Sequence, residues 1–388
     1  MKNSLSLVVS LVVLGAFSSV GADELSDALK NGKVSGDVAL TYESRNVDRQ
    51  VGTYYADTAY SVGSIGLNYE TAKFYNFSAN VGFRAYQPVW QDDSHFVTAH
   101  GKGDASERFY EDGSNKHMEL ANAYLAYATK DIVVKAGRQE LSTEWLTKYH
   151  DAVTAMVTPF NNAQIEMIYS QKRYRVDPRE FFSATDINGN DGIYKLGFSY
   201  QLSNEIKAKV YTLVAPENYE IYGGKVNYDT KINDVGLGLL THYMESREDF
   251  MEDGKMLELV GYASYAGYKA TLGYVKTGKE SGWGSAANYG DTVVPFEEGD
   301  HMYVADARTT YVMLSKTIAD VSLTGLYGVT KYAINDGQFS KNEFDVWASY
   351  NFTKQLSGTL GFAVTNEDKK DGSVPDLTQI NATLIYKF

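Results

Sequence analysis

The chain has 388 residues, no cysteine and a formal charge of −13. The lack of cysteine excludes disulfide bonds and cysteine-ligated metals, and the acidic balance argues against nucleic acid as a partner. Aromatic residues reach 13% although the mean hydropathy is only −0.33, which is typical of strands that have one apolar and one wet face.

The first 22 residues read as a secretory signal peptide. Lys2 precedes an apolar run from Leu5 to Phe17, and small residues end at Ala22. The run is too short for a spanning helix and no stop-transfer pattern follows it, so we expect export and cleavage after Ala22. Loss of Lys2, the only charge in this segment, would take the net charge from −13 to −14. Residues 23–32 then form a short helical or irregular lead-in on the periplasmic side.

From residue 33 onward, apolar residues recur at every second position, which is the period of a β-strand. In the last segment Ala382, Leu384 and Tyr386 share one face. The intervening Thr383 and Lys387 share the other. The pattern predicts an all-β, closed antiparallel transmembrane barrel over residues 33–388 with about eighteen strands. The strands are expected at 33–45, 60–71, 74–87, 118–129, 131–141, 152–158, 163–173, 192–202, 205–214, 218–229, 232–245, 255–266, 268–278, 308–318, 320–332, 342–353, 355–366 and 376–388.

The connections between these segments alternate in length, as they do in outer-membrane barrels. Short turns predict the periplasmic side and longer segments the outer side, with a short fifth loop near Pro216 as the one exception. The third loop (142–151), the seventh (279–307) and the eighth (333–341) all belong to the longer set. Both termini are then expected to face the periplasm.

Charged residues on the polar phase of the strands are candidates for the pore lining. A lysine or arginine that faced lipid near the midplane would cost about 2–4 kcal/mol, so these side chains are expected to point inward. The basic ones lie mostly on the strands at 192–229, and the acidic ones on the first two strands and the sixteenth. We therefore expect a basic wall opposite an acidic wall. The candidates are Arg84, Lys195, Lys207, Lys209, Lys225, Asp37, Glu43, Glu70, Glu343 and Asp345.

Two loops are candidates for narrowing the pore. The third is expected to fold into the lumen as a constriction, and a plain surface loop is the alternative. The seventh, rich in carboxylates, is a second candidate. The third loop carries Glu144, Trp145, Lys148, Tyr149 and His150.

Three stretches resemble the OprD-like outer-membrane porins, especially those of Campylobacterota. They are DELSDALKNGKVSGDVALTYESR (23–45), KAGRQEL (135–141) and the terminal TLIYKF (383–388). The resemblance runs loosely over the whole mature chain. It implies an eighteen-stranded barrel with infolded third and seventh loops. It also implies passage of small solutes, often carboxylate-bearing, along a row of lumenal basic residues, for which Lys195, Lys207, Lys209, Lys225 and Arg84 are available. The dense arginine series of the best-known members is not apparent in the sequence.

The best reading is an outer-membrane porin of a Gram-negative bacterium, a passive diffusion channel for small hydrophilic solutes and ions. A substrate-specific channel for carboxylate-bearing or zwitterionic solutes is the alternative. No G-x-S-x-G or H-E-x-x-H motif occurs, so we expect no enzyme, and we expect no metal or other cofactor. An adhesive surface barrel is disfavoured because the longest connections have only about thirty residues.

The expected partners are outer-membrane lipid and lipopolysaccharide, small hydrophilic solutes and the barrel-assembly machinery. A terminal phenylalanine, here Phe388, is a common assembly signal of such barrels. Porins are often trimers, and no residue pattern decides whether this chain forms a homotrimer.

Overall fold

The computed structural model describes residues 22–52, 55–98, 101–110, 116–284, 289–334, 337–369 and 373–388. The predicted signal peptide lies outside these ranges except for Ala22. The described residues form one α-helix, α1 (Ala22–Lys30), two 3-10 turns (Ala105–Arg108 and Asn188–Asn190) and 21 strands. The strands are β1 (Lys33–Val47), β2 (Thr58–Glu70), β3 (Phe77–Gln91), β4 (His95–Thr98), β5 (Gly101–Asp104), β6 (Met118–Ala128), β7 (Ile132–Thr143), β8 (Leu146–Val157), β9 (Ala163–Val176), β10 (Phe181–Asp186), β11 (Ile193–Gln201), β12 (Ile206–Ala215), β13 (Tyr219–Ile232), β14 (Val235–Glu248), β15 (Gly254–Tyr265), β16 (Tyr268–Thr277), β17 (Arg308–Ile318), β18 (Val321–Ile334), β19 (Gly337–Asn351), β20 (Leu356–Lys369) and β21 (Leu377–Lys387).

The main sheet closes on itself. It contains 19 strands, and all of them except β10 follow one another around a barrel of 18 antiparallel strands. Strand β21 pairs with β1 from Asp37↔Lys387 to Val47↔Leu377, which completes the ring. The short strand β10 pairs with the second half of β9, and β4 and β5 form a separate hairpin in the second loop. The predicted closed barrel of about eighteen strands is confirmed.

The two faces of the wall differ as the two-residue period requires. Side chains on one phase are large, apolar and exposed, as in Leu272 (61%), Leu314 (60%) and Val210 (59%). An apolar band of this kind is what a barrel turns toward lipid, while the alternate residues fill or line the interior. No helix in the described ranges is long and apolar enough to cross a membrane.

The end of the barrel that carries both termini, here called the turn end, has the short connections. Helix α1 lies there and is tied to the β2–β3 turn, since the Ala72 N–H donates to the Ala28 carbonyl at 3.0 Å. Two acidic residues in the first turn of α1 and Lys30 in the last complement the helix dipole. Two-residue turns such as Ala319-Asp320 take left-handed backbone angles, with φ 47° and 69°. The opposite end is here called the loop end.

Two of the expected longer loops are tight hairpins instead. Thr143 pairs with Leu146 and Ile334 pairs with Gly337, so only two residues connect each pair of strands. The predicted third loop at 142–151 and eighth loop at 333–341 were therefore too long. In the third loop the reason is local: Trp145 takes a left-handed φ of 63°, which closes the turn early and lets residues 146–151 remain in the ladder.

Candidate functional site

The tip of the β7–β8 hairpin, Glu144 and Trp145, folds into the lumen. In the wall, β8 is separated from β12 by β9 and β11, yet the tip touches the inner face of β12. The Trp145 side chain is fully buried, and its Nε1 donates a hydrogen bond to the Tyr211 hydroxyl at 3.1 Å. A tip that reaches this far must lean inward across the lumen, so this hairpin narrows the barrel.

The Glu144 carboxylate collects three of the predicted pore lysines. Its Oε2 lies 2.9 Å from Lys195 Nζ and 2.6 Å from Lys209 Nζ, and its Oε1 lies 3.5 Å from Lys225 Nζ. Glu166 on β9 adds a second carboxylate, 3.3 Å from Lys195 and 3.1 Å from Lys209. Burial alone would raise the pKa of Glu144, but Lys195 and Lys209 outweigh it and hold that pKa well below its usual range.

A buried series of hydrogen bonds on the barrel wall supports the hairpin tip. The Tyr211 hydroxyl is 3.0 Å from His242 Nε2, and His242 Nδ1 is 3.1 Å from Glu258 Oε2. These three residues lie on β12, β14 and β15 and are almost fully excluded from solvent. Because the hydrogen bonds run in series from Trp145 to Glu258 in a buried setting, they fix the position of the Trp145 indole.

The seventh connection, here called loop 7 (residues 278–307), also folds inward. Trp283 packs against Trp145 with ring centroids 5.1 Å apart and ring planes tilted by 42°. At its far side the loop is bound by two acidic residues of β19. Glu343 accepts backbone hydrogen bonds from Glu298 at 2.8 Å and Gly299 at 3.0 Å. Asp345 accepts one from Glu297 at 3.2 Å.

Side chains of loop 7 hold the opposite wall by ion pairs. Glu298 lies 2.5 Å from Arg45 on β1, and Asp300 lies 2.5 Å from Lys341 on β19. Burial raises the pKa of Glu298 to about 7, with the nearby Asp300 adding to the shift and Arg45 opposing it. The ion pair with Arg45 favours the charged form of Glu298, and burial favours the neutral form. Both forms are therefore populated near pH 7.

A cavity of about 610 Å³ remains between loop 7, the second loop (92–117), the fourth loop (177–192) and the wall around the β1–β21 seam. We call it the charged cavity. Five cationic side chains and five carboxylates line it, together with Tyr60, Phe109 and several polar residues of β20 and β21. The charged ones are Arg45, Arg108, Lys148, Arg175, Arg179, Glu43, Asp177, Glu180, Glu297 and Glu298.

Each cation of the charged cavity has an acidic partner. Arg108 lies 2.6 Å from Glu43, Lys148 lies 2.6 Å from Asp177, and Arg175 lies 3.0 Å from Glu180. Arg179 pairs with Glu297, and Arg45 with Glu298 as described above. The lining is therefore densely charged but close to neutral as a whole, with the two signs side by side.

Only two of the predicted site residues, Glu43 and Lys148, line this cavity. Arg84 and Asp37 pair with each other at 2.5 Å nearer the turn end, where Lys207 and Glu70 are exposed. His150 is buried and bonded to Ser170 Oγ and the Thr147 carbonyl, both at 2.9 Å.

Tyr149 is partly buried against an aromatic cluster beneath the second and fourth loops. Phe388 lies at the barrel seam, where it exchanges two backbone hydrogen bonds with Gly36.

The expected basic wall facing an acidic wall needs correction. Lys195, Lys209 and Lys225 are compensated by Glu144, while Glu343 and Asp345 accept hydrogen bonds from loop 7. Side chains engaged in this way hold the infolded elements, so they do not form two opposed walls along an open lumen. The strand pattern indicates only which side chains face the lumen. It does not show that the infolded loops bring partners within hydrogen-bond distance of them.

Four arginines of the charged cavity were missed. Arg45 could have been found, because it shares the inward phase of β1 with Asp37 and Glu43. Arg108 lies in the 3-10 turn of the second loop, Arg175 near the outer end of β9, and Arg179 in the fourth loop. Arg108 and Arg179 gave no signal because loop conformations have no two-residue period. Arg175 was missed because the strand expected at 163–173 ended two residues before it.

Comparison with known proteins supports the fold and its location. Residues 89–244 match a family model described as "Putative outer membrane protein". OccAB4 of Acinetobacter baumannii superposes with a TM-score of 0.75 at 14% identity, covering 92% of this chain and 98% of that one. Pseudomonas aeruginosa OpdK, solved with vanillate, gives 0.73 at 14% identity, covering 93% and 99%.

No curated protein matches the sequence. The resemblance to OprD-like porins is confirmed at the level of the barrel, and the chain is an outer-membrane protein.

Proposed function

We propose that this outer-membrane barrel, built like the OprD-like porins, is a passive diffusion channel for small hydrophilic solutes and ions. The observation that carries the proposal is the charged cavity, a polar space of about 610 Å³ bounded by infolded loops inside a closed barrel. A lumen filled only for stability would be close-packed, whereas this one keeps open space lined by ten charged groups.

The pairing of those charges favours weak ion selectivity. Selective pores use rings of like charge, which raise the concentration of one ion and exclude the other. Here the arginines alternate with carboxylates such as Glu43, Glu180 and Glu297, so a permeating ion meets both signs at close range. Small polar solutes can exchange hydrogen bonds with either set.

A second candidate is a substrate-specific channel for zwitterionic or carboxylate-bearing solutes. Adjacent arginines and carboxylates can bind the two ends of a dipolar solute, and the guanidinium groups suit a carboxylate in two-point contact. Arg175 and Arg179, which come from one short segment, supply two such groups. OpdK, which shares the fold, was solved with vanillate.

Planar-bilayer recordings and liposome swelling distinguish these candidates. We expect open-channel conductance with a small reversal potential in a salt gradient. We also expect similar swelling rates for a neutral sugar, a zwitterionic amino acid and a carboxylate of matched size. Clear preference for the zwitterion or carboxylate would favour the second candidate, and absence of conductance in refolded, heat-modifiable barrel would refute both.

Two variants test whether the charged cavity determines the ion selectivity. Arg179→Gln removes a cation that lines the charged cavity, whereas Arg247→Gln removes an exposed one that lies over the Tyr222 ring on the outer face. We expect Arg179→Gln to shift the reversal potential toward cations and Arg247→Gln to leave it unchanged.

A further inference from the structure

The lipid-facing wall has a notch at Gly325 near the turn end. Gly325 lies on the outward phase of β18, between Leu314 of β17 and Val346 of β19 in the ladder. A Cβ built at Gly325 would meet no atom within 4 Å, so the wall is open at this position. The result is an apolar groove of about 310 Å³, whose lining includes Tyr268, Ala270, Leu314, Leu323, Gly325 and Val346.

Two lysines line this groove near the turn end, Lys316 and Lys269. Lys269 follows Tyr268 on the opposite phase of β16, and its Nζ lies 4.2 Å from the centre of the Tyr262 ring. Lys316 lies on the outward phase of β17, next to Tyr268 in the register, and its Nζ is 3.6 Å from the centre of the Tyr268 ring. The same Nζ donates a hydrogen bond to the Ala266 carbonyl at 2.7 Å. Within the described part of the chain no carboxylate pairs with Lys316, so its charge stays uncompensated. By contrast, another outward apolar groove, around Leu360 and Leu384, has no charged residue in its lining.

We propose that this groove binds one anionic phospholipid of the periplasmic leaflet, with an acyl chain over Gly325 and the phosphate at Lys316. Both halves of the site match such a lipid. The groove is apolar and open to the membrane, and a lysine at the membrane interface attracts anionic headgroups. The Tyr268 ring lies at the same level, where tyrosines anchor barrels to headgroups. The leaflet follows from the short turns, which face the periplasm in barrels of this type.

Two substitutions test the halves separately. Gly325→Leu places a large side chain in the groove, starting from a Cβ that meets no protein atom within 4 Å. Lys316→Ala removes the cation on the outward phase and leaves Lys269 in place. Gly224→Leu is the matched control: Gly224 is also an outward glycine with nothing within 4 Å, on β13, where its cross-strand neighbours are Val210 and Tyr243 and no lysine is in register.

The experiment uses the full barrel reconstituted in bilayers of phosphatidylethanolamine and phosphatidylglycerol, followed by gentle extraction and native mass spectrometry. We expect the unaltered protein to retain phosphatidylglycerol in preference to phosphatidylethanolamine. Retention should fall several-fold in Gly325→Leu, and the preference for phosphatidylglycerol should be lost in Lys316→Ala. Gly224→Leu should behave like the unaltered protein.

Several results would overturn the proposal. One is equal retention of the two lipids, and another is unchanged retention in both test variants. If Gly325→Leu altered the oligomeric state and not the bound lipid, a second copy of the chain would be the occupant. Retention of lipopolysaccharide in place of phospholipid would place the site in the outer leaflet, contrary to the proposal. Should Gly325→Leu fail to assemble, the Lys316→Ala comparison still decides the headgroup half.

Discussion

Glu144 changes the role of three neighbouring lysines from lining the pore to holding a hairpin. From sequence, Lys195, Lys209 and Lys225 form a basic row facing the lumen. The structure places one carboxylate within 3.5 Å of all three, on the tip of an infolded hairpin. The lysines thereby become the docking site of the hairpin. A charged side chain attracts or repels a permeating ion most strongly when no opposite charge lies beside it. Glu144 supplies that opposite charge to all three lysines.

Glu144→Gln should shift the reversal potential toward anions. Glu166 still pairs with Lys195 and Lys209, so Lys225 is the lysine left without a carboxylate. The free energy of unfolding should fall by less than the roughly 3–5 kcal/mol of a buried pair that loses its only partner, because Glu166 remains. Reversal potentials and thermal melting of the refolded barrel measure the two effects.

Two further variants control this experiment. Glu140→Gln removes the same charge from an exposed site on the same hairpin and should change neither quantity. Adding Lys225→Gln to Glu144→Gln should cancel the anion shift. An anion shift that persisted in the double variant would contradict the pairing argument.

Glu298 should make ion preference depend on pH. Burial raises its pKa to about 7, so the charged cavity loses one negative charge as the pH falls through that value. Cation preference should then increase from about pH 6 to about pH 8. The folded-state pKa lies above the ordinary one. The contribution of Glu298 to stability is therefore complete below the ordinary glutamate range and is lost as the pH rises through about 7.

Reversal potentials at both pH values measure this dependence, which should be smaller in Glu298→Gln. Glu252→Gln, which removes an exposed carboxylate from the loop between β14 and β15, should retain the pH dependence. An unchanged pH response in Glu298→Gln would assign the titration to another group.

At the scale of elements, the hairpin tip and loop 7 form one unit. Trp145 packs on Trp283, and the ring of Tyr303 lies 6.1 Å from the Trp145 ring. The strand period predicts where β7 and β8 run but cannot predict this unit, because it depends on a left-handed turn residue and on contacts between segments more than 130 residues apart. Only the family resemblance suggested that the two loops fold inward.

Trp145→Ala should release the hairpin tip. The substitution removes a fully buried indole, its hydrogen bond to Tyr211 and its contact with Trp283. Truncation of a buried tryptophan costs about 3–5 kcal/mol, enough to shift the tip from its docked position. We expect larger and noisier single-channel conductance. Trp90→Ala, at a half-exposed outward position on β3, should leave conductance unchanged. Equal conductance in both variants would mean that the tip does not narrow the conducting path.

At the scale of the whole molecule, the sequence predicted the wall far better than its contents. All eighteen wall strands were expected, because alternation is local and each strand carries its own pattern. The charged cavity was largely missed because its lining is drawn from several loops and from both ends of the chain. Arg45 and Glu298, for example, are 253 residues apart and meet only once the barrel has closed.

Closure of the barrel depends on the seam between β1 and β21, which ends at Gly36 and Phe388. Gly36 and Phe388 exchange two backbone hydrogen bonds, both 3.0 Å long. The Phe388 ring lies where a side chain at position 36 would be, since a Cβ on Gly36 would come within 2.7 Å of it and within 2.4 Å of the Gly66 carbonyl. The terminal residue thus completes the ring as well as being the expected assembly signal. A chain ending at Lys387 should give a lower outer-membrane yield, and so should Gly36→Val, which keeps Phe388 but obstructs the seam. Phe160→Ala removes an aromatic side chain of similar exposure in the β8–β9 turn, away from the seam, and should assemble normally. Yield and heat-modifiable mobility measure all three. Normal assembly of Gly36→Val alongside failure of the truncated chain would mean that Phe388 acts only through recognition by the assembly machinery and that the seam contact is dispensable.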